Sequence, residues 1–502
     1  MQPYAVCIFA VLIPLSQQES WSLHSFVEGK VLSFIEEQKT EVEKLMNDGY
    51  GGARSYVEEQ QKKFTDDIYN YIDSFKESSK KITDPWSYVP DDEESHLDNP
   101  DQYLTVPGII ARHGYVCETH TIVSEGYVLN IHRIPRSKTG KDIPAKTVLL
   151  QHGLFASSFD WILNGPEKAL AYVLADAGYD VWMSNIRGNR YSREHTSLKI
   201  ESKAYWNFTW HDVAKYDIPT VIDYIMNLKG NDAKITYIGH SMGTTILFAM
   251  LSLRPEYNQK LTAGFALAPV VYLSDIKSPL KNLAPVASSA AAMEMLYKSH
   301  EFIPKTSTLG KITSTCKADN ADSTVCKNVA FYICGYNENQ FNSSLLPVFL
   351  SHLGTGTSWK TIVHFAQEIN AGGKFQQFDY GANNMKIYGS DTPPDYDLSK
   401  ITLPISLFWA KNDLLSSEQD VKKLYHELES RKEMYLVPDP SFNHLDFLWA
   451  IDAPRLLNNK ILEYLGRAFN SHVESYNSYR HSGYNLNHLR FLTIRIILES
   501  RN

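Results

Sequence analysis

The pentapeptide Gly239-His240-Ser241-Met242-Gly243 is the stretch of this 502-residue sequence whose residue types point most directly to chemistry. A serine hydroxyl is a weak nucleophile at its own pKa. It needs a histidine to take its proton and a carboxylate to orient that histidine. Glycines on both sides would let the serine sit on a strained strand-to-helix turn where side chains clash. The pentapeptide alone is weak, since a chain of this length meets it by chance in roughly one case in five to ten. Its surroundings strengthen it: an apolar run at 235–238 comes before and a helical pattern at 244–253 comes after. A glycine-rich structural turn is the bland alternative.

The partners of such a serine are expected further along the chain, acid first and then histidine, each just past a strand. Asp413 follows the apolar run at 405–409, and His444 follows the run at 434–437. His352 and His364 are rivals for the base, but both come before the acid. A tetrahedral intermediate also needs preorganised N–H donors. The Met242 N–H, just after the serine, is one candidate, and the Leu154 N–H, in the loop after a run at 147–150, is the second. His152 in that loop could equally be a packing residue and is given no catalytic role.

The elements that must position these residues are short apolar runs at 147–150, 180–183, 235–238, 405–409 and 434–437, alternating with helical patterns at 169–177, 213–228, 244–253 and 418–428. Continuous apolar runs of strand length suit strands covered on both faces, so the expected class is α/β with a mainly parallel sheet. More than 100 residues separate Pro269 from Ile405, far more than a strand-to-helix connection needs, so an inserted cap is expected there. Stretches at 283–295 and 304–333 could form a movable lid; a fixed helical cap is the alternative. The expected division is 1–20 signal peptide, 21–98 acidic helical extension, 99–275 first part of the core, 276–400 cap, 401–468 second part of the core and 469–502 tail.

Composition narrows the function. At 43% hydrophobic and 21% charged the chain is too apolar to be mainly disordered, and a net charge of -8 gives no overall basic field for nucleic acid. Residues 21–95 carry 9 Lys and Arg against 17 Asp and Glu, so the acidity belongs to the extension. That segment is read as two amphipathic helices, either a solvated appendage or a prosegment or docking arm whose partner the sequence does not name. The apolar run 4–15 suits a signal peptide and is too short to span a bilayer, and no later run is long enough either. In a secretory lumen Asn207 (Asn207-Phe208-Thr209) and Asn342 (Asn342-Ser343-Ser344) are glycosylation acceptors. The polar stretch between Cys316 and Cys326 could close as a disulfide loop, whereas Cys334 follows an apolar run and is expected to be buried. With no CxxC pair and no HExxH helix, no metal site is expected.

From about Asn99 to Leu465 the chain resembles the acid lipase family of secreted animal lipases. The resemblance rests on residues 126–135 (GYVLNIHRIP), 151–154 (QHGL), 185–189 (NIRGN), 215–219 (KYDIP), the GHSMG pentapeptide, 333–335 (ICG) and 443–447 (NHLDF). It implies an α/β-hydrolase fold with an inserted cap, no cofactor, and hydrolysis of neutral lipid esters, triacylglycerols or steryl esters, at a lipid–water interface. It implies Ser241, Asp413 and His444 as the triad, Leu154 and Met242 as oxyanion donors, and Cys316, Cys326 and Cys334 as a bridged pair plus a free thiol. Secretion or delivery to the lysosomal lumen is implied as well. A catalytically silent lipid-binding or storage protein on the same fold is the rival from another class. Two departures stand out: Met242 where vertebrate members have Gln, and Val116 where the family usually has Pro, which leaves Cys117 unexplained.

Overall fold

Apolar runs with little polar interruption become the middle of a sheet, because only strands covered on both faces can use apolar side chains at every position. The computed structural model describes residues 99–139, 146–230, 233, 235–284, 301–302, 330–352 and 355–468. Its strands are β1 (Glu118–Ser124), β2 (Tyr127–Ile134), β3 (Lys146–Gln151), β4 (Tyr179–Met183), β5 (Glu194–His195), β6 (Ile235–His240), β7 (Leu261–Leu267), β8 (Glu301–Phe302), β9 (Thr357–Ser358), β10 (Ile405–Trp409) and β11 (Arg431–Leu436). Eight of them hydrogen-bond in the order β1-β2-β4-β3-β6-β7-β10-β11, with β5 on β2. From β4 to β11 every pairing is parallel, while β2 runs antiparallel to its neighbours.

Alternation along each strand feeds two cores, one per face. Leu150, Ile238, Leu267 and Phe408 join one cluster. Leu149, Tyr237, Ala266 and Leu407 join the other. Every residue of β4, β6, β7 and β10 is buried. Side chains from the expected cap take part in both clusters, Phe341 and Leu346 in the first and Phe375 and Tyr396 in the second. In its described residues the insertion therefore shares the core of the sheet.

Three expectations need correction. The run at 434–437 does reach both cores, Met434 and Leu436 one and Tyr435 and Val437 the other, but its strand starts three residues earlier and is an edge: among the described residues β11 pairs only with β10, and its first residues Arg431, Lys432 and Glu433 are exposed. Charge on an edge discourages further pairing. The pattern at 213–228 is not one regular helix. It passes through a π-helical turn at Val213–Asp217 before the α-helix Ile218–Lys229, because Pro219 has no N–H to give to the preceding turn. The distorted turn presents buried Asp217 to Arg187, whose guanidinium also stacks on Tyr127 at 4.2 Å. The helix after Ser241 begins at Met242, two residues earlier than its apolar pattern suggests.

Since β3, β6, β10 and β11 are parallel, their carboxyl ends lie along one edge of the sheet, where ligands bind in open α/β sheets. Leu154, Ser241, Asp413 and His444 each follow one of those ends. The signal segment, the acidic extension 21–98, the tail 469–502, Cys316 and Cys326, and most of both lid stretches lie outside the described residues.

Candidate active site

β6 runs straight into Ser241, and the helix Met242–Leu253 starts at the next residue. The reversal is made at Ser241 itself, with φ 54° and ψ -120°, a conformation that L-residues rarely adopt. Its N–H donates to the Leu267 carbonyl of β7 (3.1 Å), and the Thr244 N–H donates back to its carbonyl (2.8 Å). The flanking glycines are steric necessities. A Cβ on Gly239 would lie 2.6 Å from the Gly243 carbonyl oxygen, and one on Gly243 would lie 2.3 Å from that of Gln151. Backbone cannot step aside there, so the strand, the turn and the end of β3 close up only with glycine at both places.

The loop after β3 runs alongside the serine. A Cβ on Gly153 would stand 3.1 Å from the Ser241 Cβ, which brings the backbone before Leu154 against the nucleophile turn. His152 braces this loop: its Nδ1–H donates to the Gly153 carbonyl (2.8 Å), and its Nε2 accepts from the Asn189 side chain (3.2 Å) and the Ile186 N–H (3.4 Å). Burial pushes His152 down to about 4, so it stays neutral in that role. Met242 opens its helix, and the N–H groups of a first turn have no carbonyl within the helix to receive them.

Across from the serine stand the acid and the base. The His444 Nδ1–H donates to Asp413 Oδ2 at 2.8 Å, with both side chains buried. The other Asp413 oxygen accepts from the Leu415 N–H (2.9 Å) and the Ser416 N–H (2.8 Å), which leaves Oδ2 for the histidine. His444 Nε2 is buried and has no hydrogen-bond partner among the described residues. The ring of His444 lies 4.9 Å from that of His240, the residue before Ser241. In structures without substrate, catalytic hydrogen bonds are often long or unformed.

These two loops are tied together by a segment of the insertion that sequence reading did not single out for this purpose. The Cys334 carbonyl accepts from both the Leu414 N–H (3.4 Å) and the His444 N–H (3.2 Å). The Asn412 side chain donates to the Tyr336 and Ser441 carbonyls, both at 2.8 Å, and the Asn443 side chain donates to the Gly335 carbonyl at 2.8 Å. Asn337 donates to Asp446 Oδ2 at 2.7 Å, beside the Asn443 N–H at 2.8 Å, while Trp449 Nε1–H donates to Oδ1. Burial holds the Asp446 carboxyl up to about 7 despite the pull of those donors. Gly335 has φ +112°, and a Cβ there would lie 2.0 Å from the Asn412 carbonyl oxygen. The one sequence signal for this network was the ICG and NHLDF stretches, which said nothing of pairing.

The rival histidines are occupied elsewhere. His352 stacks on Phe159 at 3.9 Å and donates to the Asp101 carbonyl; His364 stacks on Trp210 at 3.9 Å and donates to the Gln376 carbonyl. Asn207 is exposed, with its Oδ1 accepting from Lys360, and Asn342 is half-buried, with its Oδ1 accepting from Ser344. Cys334 is buried and free, as expected, and burial raises its thiol pKa. Cys117 is also free, and burial pushes its thiol up to about 12. Among the described residues no group of His, Cys, Asp and Glu is arranged to hold a metal ion.

Residues 146–450 match the α/β hydrolase fold family, and residues 106–165 match the partial α/β-hydrolase lipase region. Lipase 1 of Drosophila melanogaster is 38% identical over 73% of this chain and 81% of its own length. Gastric triacylglycerol lipase of Rattus norvegicus is 38% identical over 72% of this chain and 92% of its own. The chain belongs to the acid lipase family of α/β-hydrolases. Human lipase member K is a further relative, 36% identical over 72% of this chain and 91% of its own. This acid lipase is accordingly a carboxylic ester hydrolase acting on lipid esters. Among its described residues no helix is long and apolar enough to cross a membrane.

Proposed function

We propose that the protein is a secreted serine lipase that hydrolyses neutral lipid esters, triacylglycerols or steryl esters, through an acyl-enzyme on Ser241. Ser241 Oγ attacks the ester carbonyl while His444 Nε2 takes its proton. The Leu154 and Met242 N–H groups receive the oxyanion. The proton then passes from Nε2 to the departing alcohol, and the acyl group stays on Oγ. A water molecule, deprotonated by the same nitrogen, releases the acid and restores the serine. Asp413 keeps the imidazole in the tautomer with the proton on Nδ1. No cofactor enters either half-reaction.

The observation that carries this reading is the state of His444. Its Nδ1 is committed to Asp413, and its Nε2 is buried, without a hydrogen-bond partner among the described residues, and next to the nucleophile turn. A buried lone pair without a donor costs about 1–3 kcal/mol, a cost that the serine hydroxyl or a protonated intermediate would relieve. The apolar run at 4–15 and the exposed Asn207 side chain support secretion, the length of the segment between the strands β7 and β10 supports a cap over 276–400, and the names of the relatives support triacylglycerol as one substrate. The test is a hydrolysis panel of triglycerides and steryl esters between pH 4 and 8 on the native chain, Ser241→Ala, His444→Ala and Asp413→Asn. All three variants are expected to fold and to lose about a thousandfold or more in kcat. A variant that keeps near-native turnover removes its residue from the triad.

A further inference from the structure

We propose that His240, the residue before the nucleophile, is a positioning residue for His444, fixing where the catalytic imidazole stands by donating to the backbone carbonyl of His444. The inference rests on the triad reading above and assigns a role to a side chain that reading leaves idle.

His240 closes β6 and is 2% exposed. Its Nε2 lies 2.9 Å from the His444 carbonyl oxygen, across 204 residues of sequence. A carbonyl oxygen only accepts, so Nε2 carries the proton and Nδ1 a lone pair. That lone pair is buried and has no partner among the described residues. It faces the loop before Leu154, 3.5 Å from where a Cβ on Gly153 would stand. An apolar side chain would leave no such orphan at this position, so what the imidazole supplies there is the Nε2–H donor.

That donor completes the fixation of His444. Its N–H is held by the Cys334 carbonyl of the insertion, its Nδ1 by Asp413 and its C=O by His240. Nε2, the atom that must be free to work, is the remaining polar atom of the residue. The two rings also pack at 4.9 Å, and His240 lies 6.2 Å from Phe447 in the turn that follows the base. Because His240 and Ser241 are adjacent on a rigid strand end, one short path of covalent and hydrogen bonds runs from the nucleophile to the backbone of the base. Misplacement by about 1 Å in such a pair costs on the order of a hundredfold in rate. Burial pushes His240 down to about 3, so the donor tautomer persists over the assay range.

The test uses the full-length chain with a short soluble ester and a fluorophosphonate probe. His240→Leu removes the donor at similar volume, and His240→Gln keeps an N–H near the place of Nε2. His240→Leu is expected to lower kcat and the rate of Ser241 labelling by about 30-fold with KM within about 2-fold, and His240→Gln to recover to within about 5-fold of native. If the Leu variant does not fold, His240→Met takes its place in the comparison. The proposal is overturned if the donor-free variant keeps native kcat, if KM rises while kcat holds, or if His240→Gln is no better than the donor-free variant. Ser241→Ala, run alongside, separates the two readings: activity in Ser241→Ala defeats the triad itself, whereas a dead Ser241→Ala beside a fully active His240→Leu defeats only the positioning role.

Discussion

The two halves of the site are held by different physics. The nucleophile half, from Gly239 to Gly243 with the Gly153 loop beside it, is shaped by steric exclusion: glycines against backbone carbonyls and one serine at φ 54°. The acid–base half, around Asp413 and His444, is held by hydrogen bonds from a distant segment, Cys334 to Asn337, reaching the Asn412, Asn443 and Asp446 side chains and backbone. Steric exclusion fails abruptly, because a carbonyl cannot retreat from a methyl group inside a closed sheet edge. Hydrogen-bond ties fail by degrees, each worth about 1–3 kcal/mol to a site that keeps its other ties.

The largest effect should therefore come from Gly243→Ala. The new methyl would meet the Gln151 carbonyl oxygen at 2.3 Å, and we expect a destabilisation of about 4 kcal/mol or more, read as loss of folded protein or of all hydrolysis. Native-like melting and turnover in this variant would erase the contrast. Gly335→Ala sharpens it from the other side. It sits among the polar ties, yet its φ of +112° and the 2.0 Å approach to the Asn412 carbonyl oxygen predict that it behaves like the glycines of the nucleophile turn, with a drop of similar size in stability and rate.

Asn337→Ala should show the graded behaviour. It removes one of the donors to Asp446 and leaves the Asn443 N–H and Trp449 in place. Turnover on a soluble ester is expected to fall about 10-fold with the enzyme still folded; a fall as complete as that of Gly243→Ala would show that the ties act as one unit.

How far each half can be read from sequence follows the same division. Gly239, Ser241 and Gly243 are local: a five-residue spacing between an apolar run and a helical one already states the turn. Asp413 and His444 could be picked because each follows an apolar run, and chain order excluded His352 and His364. The ties could not be picked. His240 and His444 are 204 residues apart, and Asn337 and Asp446 are 109 apart, with no periodicity linking them. The π-helical turn before Ile218 is equally hidden, since its apolar spacing suits a regular helix, and neither the effect of Pro219 on the preceding turn nor the buried Asp217–Arg187 pair shows in that spacing. The start of edge strand β11 is hidden for a similar reason: its first three residues, Arg431, Lys432 and Glu433, are charged and exposed and carry no apolar signal.

The last predicted effect, on stability and not on rate, concerns His152, a titratable brace of the nucleophile half. His152 has its folded pKa lowered to about 4 by burial, so the folded state binds fewer protons than the unfolded chain at intermediate acidity. Its contribution is full above the unfolded value of about 6.5 and is lost as pH falls from there towards about 4. Melting temperature should drop over that window by more in the native chain than in His152→Gln, a difference of about 3 kcal/mol in stability. Parallel curves would mean that His152 is not held neutral.

The central claim is that both halves converge on the Ser241 hydroxyl. It is tested most directly by treating the full-length enzyme with a fluorophosphonate probe and mapping the modified peptide by mass spectrometry. The account predicts one stoichiometric adduct on Ser241, absent in Ser241→Ala and slowed by orders of magnitude in His444→Ala. An adduct on another residue, or labelling that survives in Ser241→Ala, would contradict it.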